Sequence, residues 1–521
     1  MISRRRLILI IIPFLFLLSG LVFYSFMAPI SLGSAGYDED PSYVYLFNGL
    51  FILNGHSPLH IDHPGTPLQI LSALIIFAKW TAFGVYDDIS LDVMHSPESY
   101  IQLISYILLT LNFLALYYLG SRVHQNTKSY SLALISQITP FIFAKYLIAR
   151  SIYLAPESLL IFSSSILLGL TCPLFLKNNG IQHKKDINYF RKIGIILGFG
   201  LAVKLTFLPM IFITFLIKAK KNIIIVFKSL IFSFFIFIFP IIHKFINYLL
   251  WIKSIATHTE RNGSGSFGFF DTHLLVENFQ KLSNTFSIFY IINIFLVLFI
   301  TYLLLKNDRA KNSRQILVSL VFLSINFCAT LLIVKNYADH YLLPVVLTAN
   351  LIIVFLLNFF RIKKIIGTKT LVFASASLFF FGIYNTYLAY NFLELEKSKS
   401  LYEEKSLNNI MNSKDDVFLI SSYRSRTLTS AIYFGLSYAN SRRILFQRAE
   451  PLFESSDVYD IFSGSFAFHS RDEISEYVSS KKNIYFIKLN VLPEPEGFCL
   501  EKVFIGPTRT IYIVKGVKGC I

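Results

Sequence analysis

Apolar runs of about 20 residues recur along the first three quarters of the chain. A helix of that length crosses the ~30 Å hydrocarbon core of a bilayer, so each run predicts a transmembrane helix. The runs lie at about 7–30, 100–121, 130–150, 153–176, 223–247, 286–305, 316–335, 341–360 and 370–391. Between basic loops at 177–192 and 218–221, a further apolar stretch predicts a helical hairpin with Lys204 near its turn. With the hairpin counted as two helices, the pattern predicts a polytopic membrane protein with about eleven transmembrane helices.

The segment between the first two runs, residues 31–99, contains two shorter apolar stretches at about 43–53 and 67–83. It carries eight acidic residues and a single basic one, Lys79. We expect this segment outside the cytoplasm, with the two stretches as juxtamembrane helices that lie along the membrane surface. If 67–83 crossed the membrane instead, every later loop would change sides and the basic loops would lie outside.

The charge distribution supports this topology and excludes nucleic acid as a partner. The formal net charge is +17, from 48 basic and 31 acidic residues. Residues 392–521 contain 17 basic and 16 acidic residues, so 31 basic and 15 acidic residues belong to 1–391. Basic residues in short loops between apolar runs set orientation in the membrane. The predicted outer loops are then 31–99 and 248–285. Charged residues make up 15% of the chain, against ~25% in soluble domains, which excludes a soluble fold for most of it.

Residues 392–521 are more polar and predict a small extracytoplasmic α/β domain, separate from a transmembrane domain at 1–391. The segments VFLISS (417–422), RILFQ (443–447), NIYFIKL (483–489) and TIYIVKG (510–516) predict buried strands. Segments 425–436 and 470–480 predict helices.

The four cysteines separate into two pairs. Cys172 and Cys328 lie in predicted spans and are interpreted as apolar residues. Cys499 and Cys520 flank the final hairpin, where an oxidising compartment would permit a disulfide. Neither a CxxC nor an HxxxH pair occurs, so no zinc site is predicted.

An acidic segment, Gly36-Tyr37-Asp38-Glu39-Asp40-Pro41-Ser42-Tyr43, directly follows the first span. Three adjacent carboxylates at a membrane boundary repel one another and are costly to desolvate. One interpretation is a solvated turn that caps the helix starting near Pro41. The other is a general base in an interfacial cleft, where partial burial raises a carboxylate pKa toward the working pH.

A second polar cluster lies at residues 60–67, with the sequence HIDHPGTP. His60, Asp62 and His63 stand beside a turn bracketed by prolines. One interpretation is an ordinary surface loop. The other is a site for an anionic headgroup, with His63 and exposed backbone N–H groups as donors.

These motifs, with three others, resemble those of the GT-C glycosyltransferases. The similar families are the protein O-mannosyltransferases and the bacterial lipid A aminoarabinose transferases. The shared pieces are the acidic pair in 36–43, the turn HPGTPL (63–68), RSIYLAPE (150–157), the hairpin GFGLAVKLT (198–206) and DHYLLP (339–344). The turn is similar to the family's (K/H)-P-x-x-P-L, the third piece to its R-x-x-x-x-D, and the last to its R-Y-L-L-P.

The resemblance covers roughly residues 1–390 and implies an enzyme. It would transfer a sugar from a polyprenyl-phosphate donor to an acceptor hydroxyl on the outer face, with inversion at the anomeric carbon. It implies that Asp38 is the base that deprotonates the acceptor. Glu39 would bind the acceptor or tune the site, and Asp40 and Tyr43 would bind substrate.

The leaving group would be a phosphate, so cations near it would stabilise the developing charge. The resemblance gives His63, Lys204 and His340 this role, with Tyr341 as a further binding residue. The family usually has a stronger base than His at the His63 and His340 positions, and an Asp where Glu157 stands. Lys204 also has an alternative interpretation, in which it extends from the hairpin to the membrane interface.

The outer loop at 258–273 contains Gly263, Gly265 and Gly268 among basic residues, including Arg261. A flexible backbone of this kind suits a loop that orders over a bound headgroup, with Arg261 as a binding residue. An ordinary mobile connector is the alternative.

Two further function classes compete with sugar transfer. A secondary transporter or flippase of a lipid or small solute would carry charged residues within its spans and show two similar halves. A non-catalytic membrane assembly protein would leave the acidic segment without a role. No cofactor is required by the pattern, although the acidic segment has oxygen donors for Mg²⁺ or Mn²⁺.

The expected location is a bacterial inner membrane, with the site and the C-terminal domain on the periplasmic face. The endoplasmic reticulum lumen is the alternative. The expected partners are a polyprenyl-phosphate sugar, membrane lipids, and a lipid, glycan or protein acceptor.

Overall fold

The protein is described here from a computed structural model, which is mostly helical with one sheet near the C-terminus. The residues that it describes are 7–27, 39–61, 65–176, 186–259, 265–268, 271–306, 309–411, 417–422, 427–439, 444–449, 452, 456–460, 465–467, 473–474, 476, 483–490, 492, 498–507 and 509–517.

The helices follow the apolar pattern of the sequence. Those of the first half are α1 (Ile11–Met27), α2 (Val44–Leu53), α3 (Thr66–Phe83), α4 (Ile89–His95), α5 (Pro97–Thr127), α6 (Tyr130–Gln137), α7 (Thr139–Ile142), α8 (Ala144–Ser151), α9 (Pro156–Leu176), α10 (Ile187–Val203), α11 (Lys220–Phe237) and α12 (Phe245–Thr257). Those that follow are α13 (Thr272–Thr285), α14 (Ser287–Leu305), α15 (Arg309–Lys335), α16 (Leu343–Val346), α17 (Thr348–Ile362), α18 (Thr368–Met411), α19 (Leu428–Ala439) and α20 (Ile444–Ala449). Turns of 3-10 helix lie at Ile8–Ile10, Leu205–Leu216, Phe239–Lys244 and Asp339–Leu342, and a π-helical turn at Glu39–Tyr43.

Eight helical stretches of the described chain are long and apolar enough to cross a membrane, or up to nine if a bent pair counts as one span. They are Ile8–Ser25, Thr66–Phe83, Pro97–Thr127, Pro156–Leu176, Ser287–Leu305, Asn312–Lys335, Asp339–Ile362 and Thr368–Glu403, and the bent pair is Lys220–Phe237 with Phe239–Thr257. The chain is therefore an integral, multi-pass membrane protein, as predicted. The predicted number of eleven transmembrane helices is not confirmed.

Two regions differ in detail from the apolar pattern. The run at 130–150 forms the three short helices α6, α7 and α8, because Phe143 leaves the helical region (φ −112°, ψ 42°) and Pro140 starts a new helix. Helix α3 is long enough to span a bilayer, so its predicted position along the membrane surface stays a prediction.

Helices α10 and α11 pack with their backbones in close contact along two glycines. A Cβ atom added to Gly194 would lie 2.2 Å from the carbonyl oxygen of Val226, and one added to Gly198 would lie 2.3 Å from that of Leu230. The spacing of four residues places both glycines on one face of α10. Helix α10 ends before Lys204, whose backbone is extended (φ −164°, ψ 140°). The helix therefore breaks at the residue that the sequence places near a turn.

The chain divides into two compact units. The first contains Met1–Leu21, Ile61–Leu68 and Tyr106–Ala389. The second contains Val22–His60, Gln69–Ser105 and Tyr390–Ile521, so α2 and α4 belong to the same unit as the C-terminal sheet. The predicted boundary at residues 391 and 392 stays a prediction.

The second unit contains a six-stranded mixed sheet. Its strands are β1 (Val417–Ser422), β2 (Ser456–Asp460), β3 (Ser465–Phe466), β4 (Asn483–Leu489), β5 (Phe498–Ile505) and β6 (Arg509–Val517), in the order β3-β2-β1-β4-β6-β5. Strand β1 pairs in parallel with both β2 and β4. Phe486 and Tyr485 are both buried although they point to opposite faces. The sheet is thus covered on both sides, as the α/β prediction requires.

The prediction of a strand at RILFQ is wrong, because residues 444–449 form helix α20. A short apolar run does not distinguish a strand from a buried helix. Leu445 and Ala449, four residues apart, are both fully buried, which is the helical spacing.

The described cysteines agree with the two predicted pairs. Cys499 is disulfide-bonded, whereas Cys172 and Cys328 are free. Cys520 lies outside the described residues.

A buried carboxylate, Asp92, organises the loop before α4 in the second unit. It is 5% exposed and accepts hydrogen bonds from the backbone N–H groups of Val85 (2.7 Å) and Tyr86 (3.1 Å) and from the Tyr100 hydroxyl. Burial opposes ionisation, but these hydrogen bonds and the charge of Lys79 outweigh it and hold the pKa of Asp92 below its usual range.

We expect Asp92→Asn to destabilise the protein by about 1–3 kcal/mol, because an amide replaces the charged acceptor of the buried Tyr100 hydroxyl and of two part-buried backbone N–H groups. Since the folded-state pKa is lowered, the contribution is present above about pH 4 and is lost as the pH falls through the lowered pKa. Thermal unfolding in detergent at pH 7 measures the loss. Asp87→Asn, at an exposed carboxylate of the same loop, is the control and should leave the midpoint unchanged.

Candidate functional site

Three segments distant in sequence place titratable side chains against one another within the first unit. Lys204 Nζ lies 2.6 Å from Glu157 Oε1, and His340 Nε2 lies 3.7 Å from the same oxygen. Glu157 comes from the first turn of α9, Lys204 from the break after α10, and His340 from the 3-10 turn before α16. We call these three residues the buried charge cluster.

The local backbone geometry positions Lys204 within this cluster. Its N–H donates to the carbonyl oxygen of Gly200 and its own carbonyl accepts from Phe207, both at 3.0 Å, so the chain is held on each side of the break. The ammonium lies 4.4 Å from the ring centroid of Tyr341, an arrangement that attracts a cation. The residue is only 4% exposed. The buried contacts with Glu157 and Tyr341 therefore account for the position of Lys204 within the protein, and the alternative in which it extends to the membrane interface stays a prediction.

Glu157 is positioned by the start of α9. Pro156 occupies the first helical position and Glu157 the next, where proline fits and a carboxylate is stabilised by the positive end of the helix dipole. The residue is 3% exposed. A buried charge of this kind requires a paired partner, which Lys204 provides.

His340 lies between two carboxylates. Its backbone N–H donates to Asp339 Oδ1 at 2.7 Å, and its Nδ1 lies 3.3 Å from the same oxygen. The 3.7 Å separation from Glu157 on the other side is an electrostatic contact, longer than a hydrogen bond. A protonated ring would thus have one carboxylate near each nitrogen. The cluster can supply positive charge from Lys204 and, when protonated, from His340.

Sequence reasoning missed Arg150 as a member of this site. It lies in the last turn of α8, and its charge acts on Glu157, Asp339 and His340. The signal was present, because Arg150 opens the segment RSIYLAPE, whose last residue is Glu157.

The second unit holds the described end of the acidic segment. Asp40 is exposed, and Glu39 begins the π-helical turn. Tyr43 is fully buried, and its hydroxyl donates to Glu98 Oε1 at 2.8 Å. Glu98 is a carboxylate that sequence reasoning did not select, because its partner lies 55 residues away.

Three of the predicted site residues, Asp38, His63 and Arg261, lie outside the described residues. Of the others, the structure brings together Lys204, His340 and Tyr341, with Glu157 as their shared anionic neighbour. Within the described ranges no group of three or more His, Cys, Asp or Glu side chains could hold a metal ion.

Comparisons with known proteins identify similar solved structures. Neither a family model nor a curated protein sequence matches the chain. ArnT from Cupriavidus metallidurans bound to undecaprenyl phosphate matches 97% of this chain and 99% of its own, with 9% identity and a TM-score of 0.47. Its apo state matches 97% and 98%, with 11% identity and a TM-score of 0.46. The Archaeoglobus fulgidus oligosaccharyltransferase in complex with Zn and sulfate matches 91% of this chain and 67% of its own, with 12% identity and a TM-score of 0.41.

These matched proteins are GT-C glycosyltransferases. ArnT is a lipid A aminoarabinose transferase.

Proposed function

We propose that this chain is a membrane glycosyltransferase that moves a sugar from a polyprenyl-phosphate donor to an acceptor hydroxyl. The observation that carries the proposal is the buried charge cluster. Three of the five motifs that resemble GT-C enzymes, at 150–157, 198–206 and 339–344, each contribute one member of it. Motifs that only matched by chance would have no reason to converge on one another in the folded chain.

In the proposed reaction, the acceptor oxygen forms a bond to the anomeric carbon while the bond from that carbon to the phosphate oxygen breaks. Asp38 takes the proton of the acceptor hydroxyl, and Glu39 holds the acceptor or tunes the base. Attack opposite the leaving phosphate inverts the anomeric centre. Negative charge grows on the phosphate, and a preorganised cation stabilises it.

Lys204 is the proposed source of that positive charge. Its ammonium has three N–H groups, of which one donates to Glu157. The carboxylate and the Tyr341 ring fix its position, and Arg150 adds positive potential. His63, Arg261 and Asp40 are proposed to contact donor or acceptor. Since Tyr43 is fully buried, its proposed role is to hold Glu98 in place.

A divalent cation is a separate proposal within this reaction. The carboxylates of the acidic segment could hold Mg²⁺ or Mn²⁺, whereas Glu157 and Asp339 already face Lys204 and His340. Treatment with EDTA, followed by addition of Mg²⁺ or Mn²⁺, tests it. A loss of transfer that either ion restores would assign a cation, and an unchanged rate would exclude one.

The proposed location is a bacterial inner membrane, with the acidic segment and the C-terminal domain on the periplasmic face. The basic loops that sequence places in the cytoplasm support this orientation. The proposed partners are the lipid-linked donor, membrane lipids, and a lipid, glycan or protein that carries the acceptor hydroxyl.

The buried charges at Glu157 and Lys204 also favour a second candidate, a transporter or flippase, because charged residues within spans often mark solute pathways.

One assay separates the two functions. Sealed vesicles containing the full chain are given labelled polyprenyl-phosphate sugar with a mixture of lipid and glycan acceptors. We expect labelled acceptor and free polyprenyl phosphate to appear. Movement of label across the membrane without a new glycosidic bond would contradict the proposal and support a transporter.

A further inference from the structure

Helix α19 of the C-terminal region approaches the backbone at the end of the acidic segment through a glycine. A Cβ atom added to Gly435 would lie 2.9 Å from the carbonyl oxygen of Tyr43 and 2.5 Å from Cδ2 of Phe47. Cβ contacts under 3.0 Å essentially never occur, so something must move if a side chain is added. Ser42 and Tyr43 are fully buried at this contact. Residue 435 therefore determines how closely the π-helical turn packs.

A buried amide connects the same helix to α2 and to the first residue of the second polar cluster. Asn48 is fully buried, and its Nδ2 donates to the carbonyl oxygens of Val44 (2.7 Å) and Tyr438 (3.2 Å). Its Oδ1 accepts from the backbone N–H of His60 at 3.3 Å. The ring of His60 also lies edge-on to that of Tyr438, with centroids 6.1 Å apart. Helix α19 thus fixes both ends of the segment from Tyr43 to His60.

Helix α20 makes a third contact of this kind. Arg448 Nη1 lies 3.0 Å from Asp88 Oδ2 and donates to Ser90 Oγ at 2.9 Å. Asp88 is the N-cap of α4, where it accepts from the backbone N–H groups of Ser90 and Leu91. The two charged side chains are 38% and 37% exposed, so the pair adds little stability. Its contacts attach α20 to the first turn of α4.

We propose that the C-terminal α/β region positions Glu39–Tyr43, the chain that directly follows the proposed base in sequence, with Gly435 as a positioning residue, a proposal that rests on the proposed sugar transfer. The three contacts hold the last residue of the acidic segment, the first residue of the second polar cluster and the first turn of α4. A general base must be held in near-attack geometry, and a misplacement of about 1 Å can cost roughly 10²-fold in rate. In this view the region acts on the reaction through backbone placement, without touching substrate.

Gly435→Ala in the full-length chain tests the proposal. Alanine favours helix more than glycine does, by up to about 1 kcal/mol, so a loss of activity would not come from a weakened α19. We expect kcat to fall roughly 10–100-fold with little change in the donor KM. The acidic limb of the pH profile of kcat should also shift, because the environment of the base changes. Gly367→Ala is the matched control, since a Cβ there meets nothing within 4 Å.

Several outcomes would overturn the proposal. A Gly435→Ala enzyme with wild-type kcat and pH profile would do so. So would a variant whose active fraction falls while kcat per active enzyme and the pH profile stay unchanged, because that is a merely structural effect. If Gly435→Ala does not accumulate, kcat and the pH profile of Arg448→Gln test the proposal instead. This substitution removes only a partly exposed ion pair, so the variant should fold. A wild-type chain without transfer activity would instead refute the proposed function.

Discussion

Replacement of Asp38 by Asn is expected to lower the rate of sugar transfer by roughly 10²–10⁴-fold, the range for loss of a general base. Asparagine has the size of aspartate but cannot accept the proton of the acceptor hydroxyl. The substitution removes one charge from three adjacent carboxylates, so it relieves repulsion and should not reduce folding. The measurement is transfer from polyprenyl-phosphate sugar in membranes, normalised to the amount of protein.

Asp87→Asn is the control, because Asp87 is an exposed carboxylate of the same acidic loop. It should keep the wild-type rate. Equal losses in the two variants would indicate a general effect of loop charge. Full activity of Asp38→Asn would show that Asp38 is not the base. Glu98, the carboxylate that accepts from the Tyr43 hydroxyl, would then be the next candidate.

The parts of the fold that the sequence predicts are those with a local physical signal. A run of 20 apolar residues has few alternatives to a membrane helix, and helices such as Pro156–Leu176 and Ser287–Leu305 follow the predicted runs to within a few residues. The break at Lys204 was also predictable, since basic loops on both sides of a short apolar stretch required one.

The rest depends on contacts between residues far apart in sequence. Lys204 pairs with Glu157, which lies 47 positions earlier in the sequence. The residues adjacent to either one do not indicate this contact. From the sequence alone, Gly435 would only weaken its helix, because its close approach to Tyr43 becomes visible only in the structure. The prediction of a strand at RILFQ is wrong because the burial of Leu445 and Ala449, which identifies a helix, depends on the fold around them.

Separate replacements of the two ends of the Lys204–Glu157 pair should each be strongly destabilising. Glu157→Gln leaves a buried ammonium without its counter-ion, and Lys204→Met leaves a buried carboxylate. Breaking a buried pair in this way costs about 3–5 kcal/mol. We expect each single variant to lower the thermal unfolding midpoint in detergent and to lose transfer activity. The exposed pair Lys281–Glu277 is the control, and its loss should change neither measurement.

The double variant Lys204→Met/Glu157→Gln separates the structural role of the pair from its role in the reaction. With both charges gone, neither is left unpaired, and the unfolding midpoint should return close to the wild-type value. Transfer should remain at least roughly 10²-fold reduced, because the cation that stabilises the leaving phosphate is missing. Recovery of both stability and activity would show that the pair only holds the fold, and Lys204 would then have no part in the reaction.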